Sequence, residues 1–227
     1  MTTATLTIVM PVLNEAAGMA AALQALAPLL ARGAQFIVVD GGSTDDTPSR
    51  AQAAGAQVMH APCGRALQMN AGAQLASGEL LLFLHADTLL PAHADALMAQ
   101  ALAGGPAVWG RFDVHIAGKP RLLRVIAAFM NARSRWSGMA TGDQAMFMTR
   151  GAFEAVGGFP VQPLMEDVEM SKRLLKLSRP RCLRAQVITS GRRWESRGVW
   201  RTVLLMWRLR LGYWRGVAPE RLAQLYF

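Results

Sequence analysis

Residues 77–88 read SGELLLFLHADT, a short apolar run that stops abruptly at the polar triplet His85-Ala86-Asp87. The apolar part, 80–84, is far too short to cross a membrane and follows a turn signal at Gly78, so it reads as a buried strand. Open α/β sheets bind ligands in the crevice outside the carboxyl ends of such strands. Asp87 is therefore the first candidate for chemistry; capping of the helix that follows near Pro91 is the structural alternative.

Upstream, LTIVMPV at 6–12, FIVV at 36–39 and QVMH at 57–60 also read as strands. Between them lie helical stretches: one after Leu13-Asn14-Glu15 to about residue 30, one from near Thr47, and one over 66–76. Strand and helix alternating in this rhythm argue a mostly parallel, doubly wound sheet. Three strands then deliver Asn14 and Glu15, Asp40, and Asp87 to one edge. After the second strand, Asp40-Gly41-Gly42-Ser43-Thr44-Asp45 supplies two glycines for a tight turn and three side chains able to cap a helix. Neither a G-x-G-x-x-G fingerprint nor a Gly-Lys-Ser/Thr loop is present, which argues against dinucleotide and P-loop sites. Asp40 can serve the turn alone or accept hydrogen bonds from a base N–H or a ribose hydroxyl. Asp87 offers the hard oxygens that a diphosphate-bound divalent cation requires. His85 could be a second metal ligand, a donor to a nucleotide, or a histidine satisfied by backbone.

The second half begins at the turn Gly104-Gly105-Pro106. Its pattern predicts strands over 107–116, 142–149 and 182–188, and helices over 121–135 and 165–177. The last of these helices opens with Glu166, Asp167 and Glu169, where the helix dipole favours negative charge. Glu166 and Asp167 are adjacent and so point to different faces. One of them can face the crevice as a general base tuned by its neighbour.

With 227 residues the chain can bury a core as one domain, and its 52% hydrophobic content is interrupted by charge throughout. The N-terminus shows no secretory leader pattern, and Cys63 and Cys182 have neither disulfide-framework nor metal-ligand spacing, so the chain reads as cytoplasmic. The net charge of +9 is unevenly spread. Residues 1–110 carry three arginines against seven acids, whereas 170–227 carry fourteen Lys or Arg against Glu195 and Glu220. On a single helix, Arg193, Arg197, Arg201, Arg208 and Arg215 would form one stripe, with Trp200, Trp207 and Trp214 beside it. Such a stretch either contacts an anionic membrane interface or packs on the domain.

Taken in order, IVMPVLNE (8–15), DGGSTD (40–45), Gly64-Arg65-Ala66 through Asn70-Ala71-Gly72, HAD (85–87) and Glu166-Asp167 resemble the motifs of family 2 glycosyltransferases of the GT-A fold. The resemblance covers almost the whole chain. The segments HADT, GRF, TGDQAMF, PLMEDVEMSKRL and SGRRWESRGVWRT further resemble a bacterial subgroup associated with arsenosugar biosynthesis. This likeness implies a GT-A architecture: a Rossmann-like, mostly parallel sheet flanked by helices, with a basic amphipathic C-terminal helical tail. It implies a catalytic domain over 1–190, divided into a nucleotide-binding half (1–105) and an acceptor half (106–190), and an extension over 191–227.

The same likeness assigns roles. Pro11, Asn14, Glu15, Asp40, Gly42, Ser43, Arg65, Asn70 and Ala86 would line the nucleotide. Asp87 would hold Mg2+ or Mn2+, with His85 standing where the family has the first Asp of its D-x-D. Arg111, Gly142, Asp143, Arg193 and Trp194 would shape the phosphate and acceptor pocket, Trp194 as a sugar-stacking platform. Asp167, paired with Glu166, would be the general base of an inverting transfer from a UDP- or GDP-sugar to a hydroxyl on a small-molecule or lipid-linked acceptor. Peripheral membrane contact through the tail is expected, and nucleic acid is not. The alternatives are a nucleotidyltransferase, which would carry a Gly-rich basic loop after the first strand, and a non-enzymatic module binding anionic surfaces.

Overall fold

The computed structural model describes residues 5–226. In chain order its first half is β1 (Leu6–Val12), α1 (Ala16–Ala31), β2 (Gln35–Asp40), α2 (Thr47–Ala53), β3 (Gln57–His60), α3 (Arg65–Leu75), β4 (Leu80–Phe83), β5 (Thr88–Leu89) and α4 (Ala94–Leu102). The second half is β6 (Trp109–Ala117), α5 (Leu122–Ser137), β7 (Met146–Thr149), α6 (Arg150–Ala155), α7 (Glu166–Leu175), β8 (Arg181–Ser190), α8 (Arg192–Arg197), α9 (Val199–Trp214) and α10 (Pro219–Tyr226).

All eight strands join one sheet in the order β3-β2-β1-β4-β7-β6-β8-β5. The block β3-β2-β1-β4 is parallel, as the alternating pattern predicts. β7 then runs antiparallel to both β4 and β6, β6 and β8 pair in parallel, and the short β5 closes the edge antiparallel to β8. The apolar run of β4 is explained by its surroundings. Leu80, Leu82 and Leu84 enter one hydrophobic core and Leu81 and Phe83 the other, so both faces are covered and no alternation is possible. Helix α3 lies close on the sheet because Gly72 has no side chain: a Cβ there would collide with Val9 and Val39.

The chain passes from β1 to β2 on one side, while β4 joins β1 on the other, so the strand order reverses at β1. Pairing of β1 with β4 stops at Val9–Phe83, yet β1 continues to Val12 beside β2. The strands therefore part at their carboxyl ends, and this is the switch-point crevice. Pro11 is tolerated here because the missing N–H falls beyond the β4 pairing.

Two predicted elements are corrected. Residues 142–144 form a 3-10 turn rather than the start of a strand, since Gln144 Oε1 accepts from Thr141 N–H (3.2 Å) and Gln144 N–H donates to Thr141 O (2.9 Å). The tail is three helices rather than one. Gly198, at φ 82°, ends α8 and starts α9, which breaks the continuous arginine stripe. The tail also packs on the domain: Leu209, Leu222 and Ala223 form a small core with Leu164 and Met165, just before α7. Trp200, Trp207 and Trp214 remain 70%, 63% and 81% exposed. No helix among the described residues is long and apolar enough to cross a membrane.

Candidate active site

The floor of the crevice is made by the turns after β1 and β2. Asn14, at φ 54°, accepts hydrogen bonds at Oδ1 from Thr44 N–H (2.8 Å) and Thr44 Oγ1 (3.3 Å), while its own N–H donates to Ser43 Oγ (2.9 Å). Glu15 N–H donates to Thr47 Oγ1 (2.8 Å), and Asp45 takes Ala16 N–H (3.2 Å), so the two turns are tied side by side. Gly42 occupies φ 98°, a conformation that disfavours any other residue.

Asp40 is 1% exposed, and its carboxylate accepts from Gly42 N–H (3.1 Å), Ser43 N–H (3.1 Å) and His60 Nδ1 (3.1 Å). Loss of water pushes its carboxyl up, but hydrogen bonds from Ser43, Gly42 and His60 more than offset this and hold it below the ordinary value. In this structure Asp40 builds the turn after β2 through these hydrogen bonds. Asn70 is likewise committed: it donates to Phe159 O (2.8 Å) and accepts from Phe159 N–H (2.8 Å), clipping the loop before α7 to α3. Ala86 is buried in the core. Gln68, which sequence reasoning missed, donates through Nε2 to Val12 O (2.8 Å) and Val39 O (2.7 Å). It thereby staples the ends of β1 and β2. No local pattern marks it, because its partners lie 29 and 56 residues away.

On the far side of the crevice stand the acids. Asp87 follows β4 directly, is half-buried, and accepts only a long hydrogen bond from Thr88 Oγ1 (3.3 Å) on its side chain. His85, two residues earlier, contacts the 142–143 turn. Nδ1 of His85 faces Asp143 Oδ1 at 3.4 Å, and its ring packs so closely on Gly142 that a Cβ there would overlap it. In this arrangement the nearest acid to His85 Nδ1 is Asp143. Asp143 keeps half of its side-chain surface open while neighbouring atoms crowd it, as in a cleft lining. Crowding raises its carboxyl, but the hydrogen bond from His85 and the charges of Arg65 and Arg193 bring it below the ordinary value.

Glu166 and Asp167 open α7, and the preceding Met165 adopts φ 65° to aim the helix start at the cleft. Met69, Phe83, His85, Gly142, Glu166 and Asp167 share one small cavity. The pair divides: Glu166 is 6% exposed, and burial, then the charge of Asp167, push its carboxyl up to about 7. Asp167 accepts Gly142 N–H at Oδ2 (2.9 Å) and remains half-buried.

Of the predicted cations, Arg65 is exposed at the start of α3 and Arg193 at the start of α8 reaches the electrostatic field of Asp143 and Asp87. Arg193 also lies 4.3 Å over the Tyr226 ring. Arg111 does not belong to the site. It is fully buried, pairs with Asp113, and bonds Ser134 Oγ (3.0 Å) and Asn131 O (3.1 Å), which makes it a core tie between β6 and α5. Trp194 is partly buried against the main core and is not a free stacking platform. Two arginines were overlooked: Arg133 on α5 and Arg210 on α9, both acting electrostatically with Asp167. Arg210 falls off the stripe that the tail's seven-residue spacing emphasised.

The model of glycosyl transferase family 2 matches residues 7–159. The chain belongs to this family. A search of curated protein sequences finds no significant match. Solved structures with similar folds include a mannosyltransferase from Pyrobaculum calidifontis in complex with GDP-Man and Mn2+, with TM-score 0.62 and 22% identity over 92% of this chain and 61% of that one. The S. aureus TarS structure with UDP-GlcNAc aligns with TM-score 0.66 and 16% identity over 82% of this chain and 58% of its own length. Glucosyl-3-phosphoglycerate synthase from Mycobacterium tuberculosis, in complex with phosphoglyceric acid, gives 0.59 and 20% over 82% and 71%. The family 2 chain thus spans about three fifths of the first and second of these proteins, and what the three share with it is the fold.

Proposed function

We propose that this family 2 protein moves a sugar from a UDP- or GDP-sugar to a hydroxyl acceptor with inversion, Asp167 acting as general base. The observation that carries the reading is the carboxyl pair at the start of α7, which shares a cavity with Phe83 and His85 at the end of β4, two residues before Asp87. The nucleoside rests against the Asn14–Ser43 turns, and the diphosphate lies toward Asp87, Arg65 and Arg193. Among the described residues no three His, Cys, Asp or Glu side chains cluster as a complete metal cage. A half-buried, lightly bonded Asp87 still fits a hard cation that takes its remaining ligands from diphosphate oxygens and water. Asp87 would hold Mg2+ or Mn2+, which when bound supplies charge against the leaving diphosphate.

Asp167 then takes the proton of the acceptor hydroxyl as that oxygen bonds to the anomeric carbon. The carbon–oxygen bond to the diphosphate breaks, and its electron pair leaves with the nucleotide. Attack opposite the leaving group inverts the centre. A Glu166 carboxyl raised to about 7 carries less of the like charge that would otherwise sit beside Asp167. Release of nucleoside diphosphate from UDP- and GDP-sugars tests the assignment. Asp167→Asn should bind nucleotide normally and lose release by at least about a hundredfold; near wild-type turnover would remove Asp167 from the role.

A peripheral membrane contact on the cytoplasmic face is a second part of the proposal. Phe129 of α5 stacks on Trp207 of α9 (6.4 Å); Trp136, Trp200 and Trp214 of the same two helices are also exposed, as are Arg121, Arg124, Arg201 and Arg208 on or beside them. Aromatic rings beside arginines suit an anionic lipid interface. The protein should float with phosphatidylglycerol vesicles and stay behind with phosphatidylcholine ones; no difference between the two would refute the contact.

A further inference from the structure

Arg133 and Arg210 come from helices distant in sequence, α5 and α9, which the stacking of Phe129 on Trp207 brings together, and the charge of Asp167 acts on both. Nε and Nη2 of Arg133 are buried with no hydrogen-bond partner among the described residues. Neither arginine forms an ion pair there, although Asp167 acts on both and Asp143 acts on Arg210. Burial and their mutual repulsion draw the Arg133 guanidinium down to about 10, so it stays cationic at neutral pH. Arg111 is more deeply buried than the partly buried Arg133, yet its polar contacts are supplied by Asp113, Ser134 and Asn131. A buried guanidinium with idle donors is costly unless something else completes it.

We propose that Arg133 and Arg210 form an oxyanion-binding acceptor subsite, so that the acceptor carries a phosphate or carboxylate close to the hydroxyl that Asp167 deprotonates. The inference rests on the glycosyl-transfer reading for its position in the reaction. Forked guanidinium donors match the paired oxygens of such groups. Arg193 also feels the charge of Asp87, and Arg65 and Arg193 both act on Asp143, which leaves that pair to the donor diphosphate. An oxyanion bound between Arg133 and Arg210 would satisfy the idle nitrogens and separate two like charges.

Calorimetric titration with inorganic phosphate, with and without saturating UDP or GDP plus Mn2+, tests this directly. The wild type should bind phosphate under both conditions, and Arg133→Gln and Arg210→Gln should each weaken it by about tenfold or more while leaving nucleotide affinity unchanged. Arg184→Gln, exposed on β8, should behave as wild type. Equal phosphate affinity in wild type and both variants overturns the subsite, and so does an absence of phosphate binding. A protein that binds phosphate through these arginines but neither nucleotide overturns the donor reading and keeps the anion site. Melting temperature supplies the second readout: removing an unpartnered guanidinium should not lower it, whereas destabilised variants with intact phosphate binding would mark a merely structural role. Stimulation of nucleoside diphosphate release by glycerol 3-phosphate over glycerol indicates a soluble acceptor; stimulation only by phosphatidylglycerol vesicles indicates a lipid headgroup.

Discussion

Glu166→Gln removes an acid that the fold keeps from ionising. Burial, followed by the charge of Asp167, raises the Glu166 carboxyl from 4.5 to about 7. The sign of its effect on stability follows from proton counts. Below pH 4.5 the folded and unfolded chains both hold the proton and nothing is lost. As the pH rises from 4.5 through about 7, the unfolded chain releases the proton and the folded chain does not, so stability falls. At about 1.4 kcal/mol per unit, the whole shift corresponds to at most about 3 kcal/mol. Glutamine keeps the shape of the neutral acid without this penalty. In urea titrations the variant should therefore exceed the wild type by up to about 3 kcal/mol at pH 8 and by only about 1 kcal/mol at pH 5. A gain independent of pH would show that Glu166 ionises normally in the folded protein, and the division of labour within the pair would fail.

Two further substitutions test the scaffold around the site. Gln68→Ala removes one donor from Val12 O, which keeps Gly41 N–H, and one from Val39 O, and should cost about 1–3 kcal/mol in urea, together with weaker nucleotide binding, because the β1 and β2 turns lose their staple. Asp113→Ala strands the fully buried Arg111 without its anion and should cost about 3–5 kcal/mol, with nucleotide binding kept in whatever fraction folds. A loss under 1 kcal/mol in that case would mean that Ser134 Oγ and Asn131 O suffice for Arg111.

The parallel half of the sheet was legible because β4 and its neighbours are short, apolar and separated by helical stretches, a pattern with few competing solutions. The carboxylates at strand ends were legible for the same reason, since topology alone carries Asp87 and the Asn14 turn to one edge. Side-chain commitments were not. Asp40, Asn70 and Arg111 match motif positions, yet their hydrogen bonds go to His60, Phe159 and Asp113, choices made by tertiary neighbours rather than by local spacing. The 3-10 turn at 142–144 escaped because Met146–Thr149 supplies a strand signal that blurs into the polar residues before it. Arg133 and Arg210 were invisible because each sits in an arginine-rich helix, and only the packing of α5, α7 and α9 shows which guanidinium turns inward.

Titration of the wild type and Asp87→Asn with UDP and GDP, each in Mn2+ and in EDTA, bears most directly on the claim that the switch-point crevice is a metal-assisted nucleotide-sugar site. The wild type should bind one of the two nucleotides in Mn2+, lose at least about tenfold in affinity in EDTA, and Asp87→Asn should show the weaker affinity under both conditions. Failure of the wild type to bind either nucleotide, or binding that ignores both the metal and Asp87, would contradict the account.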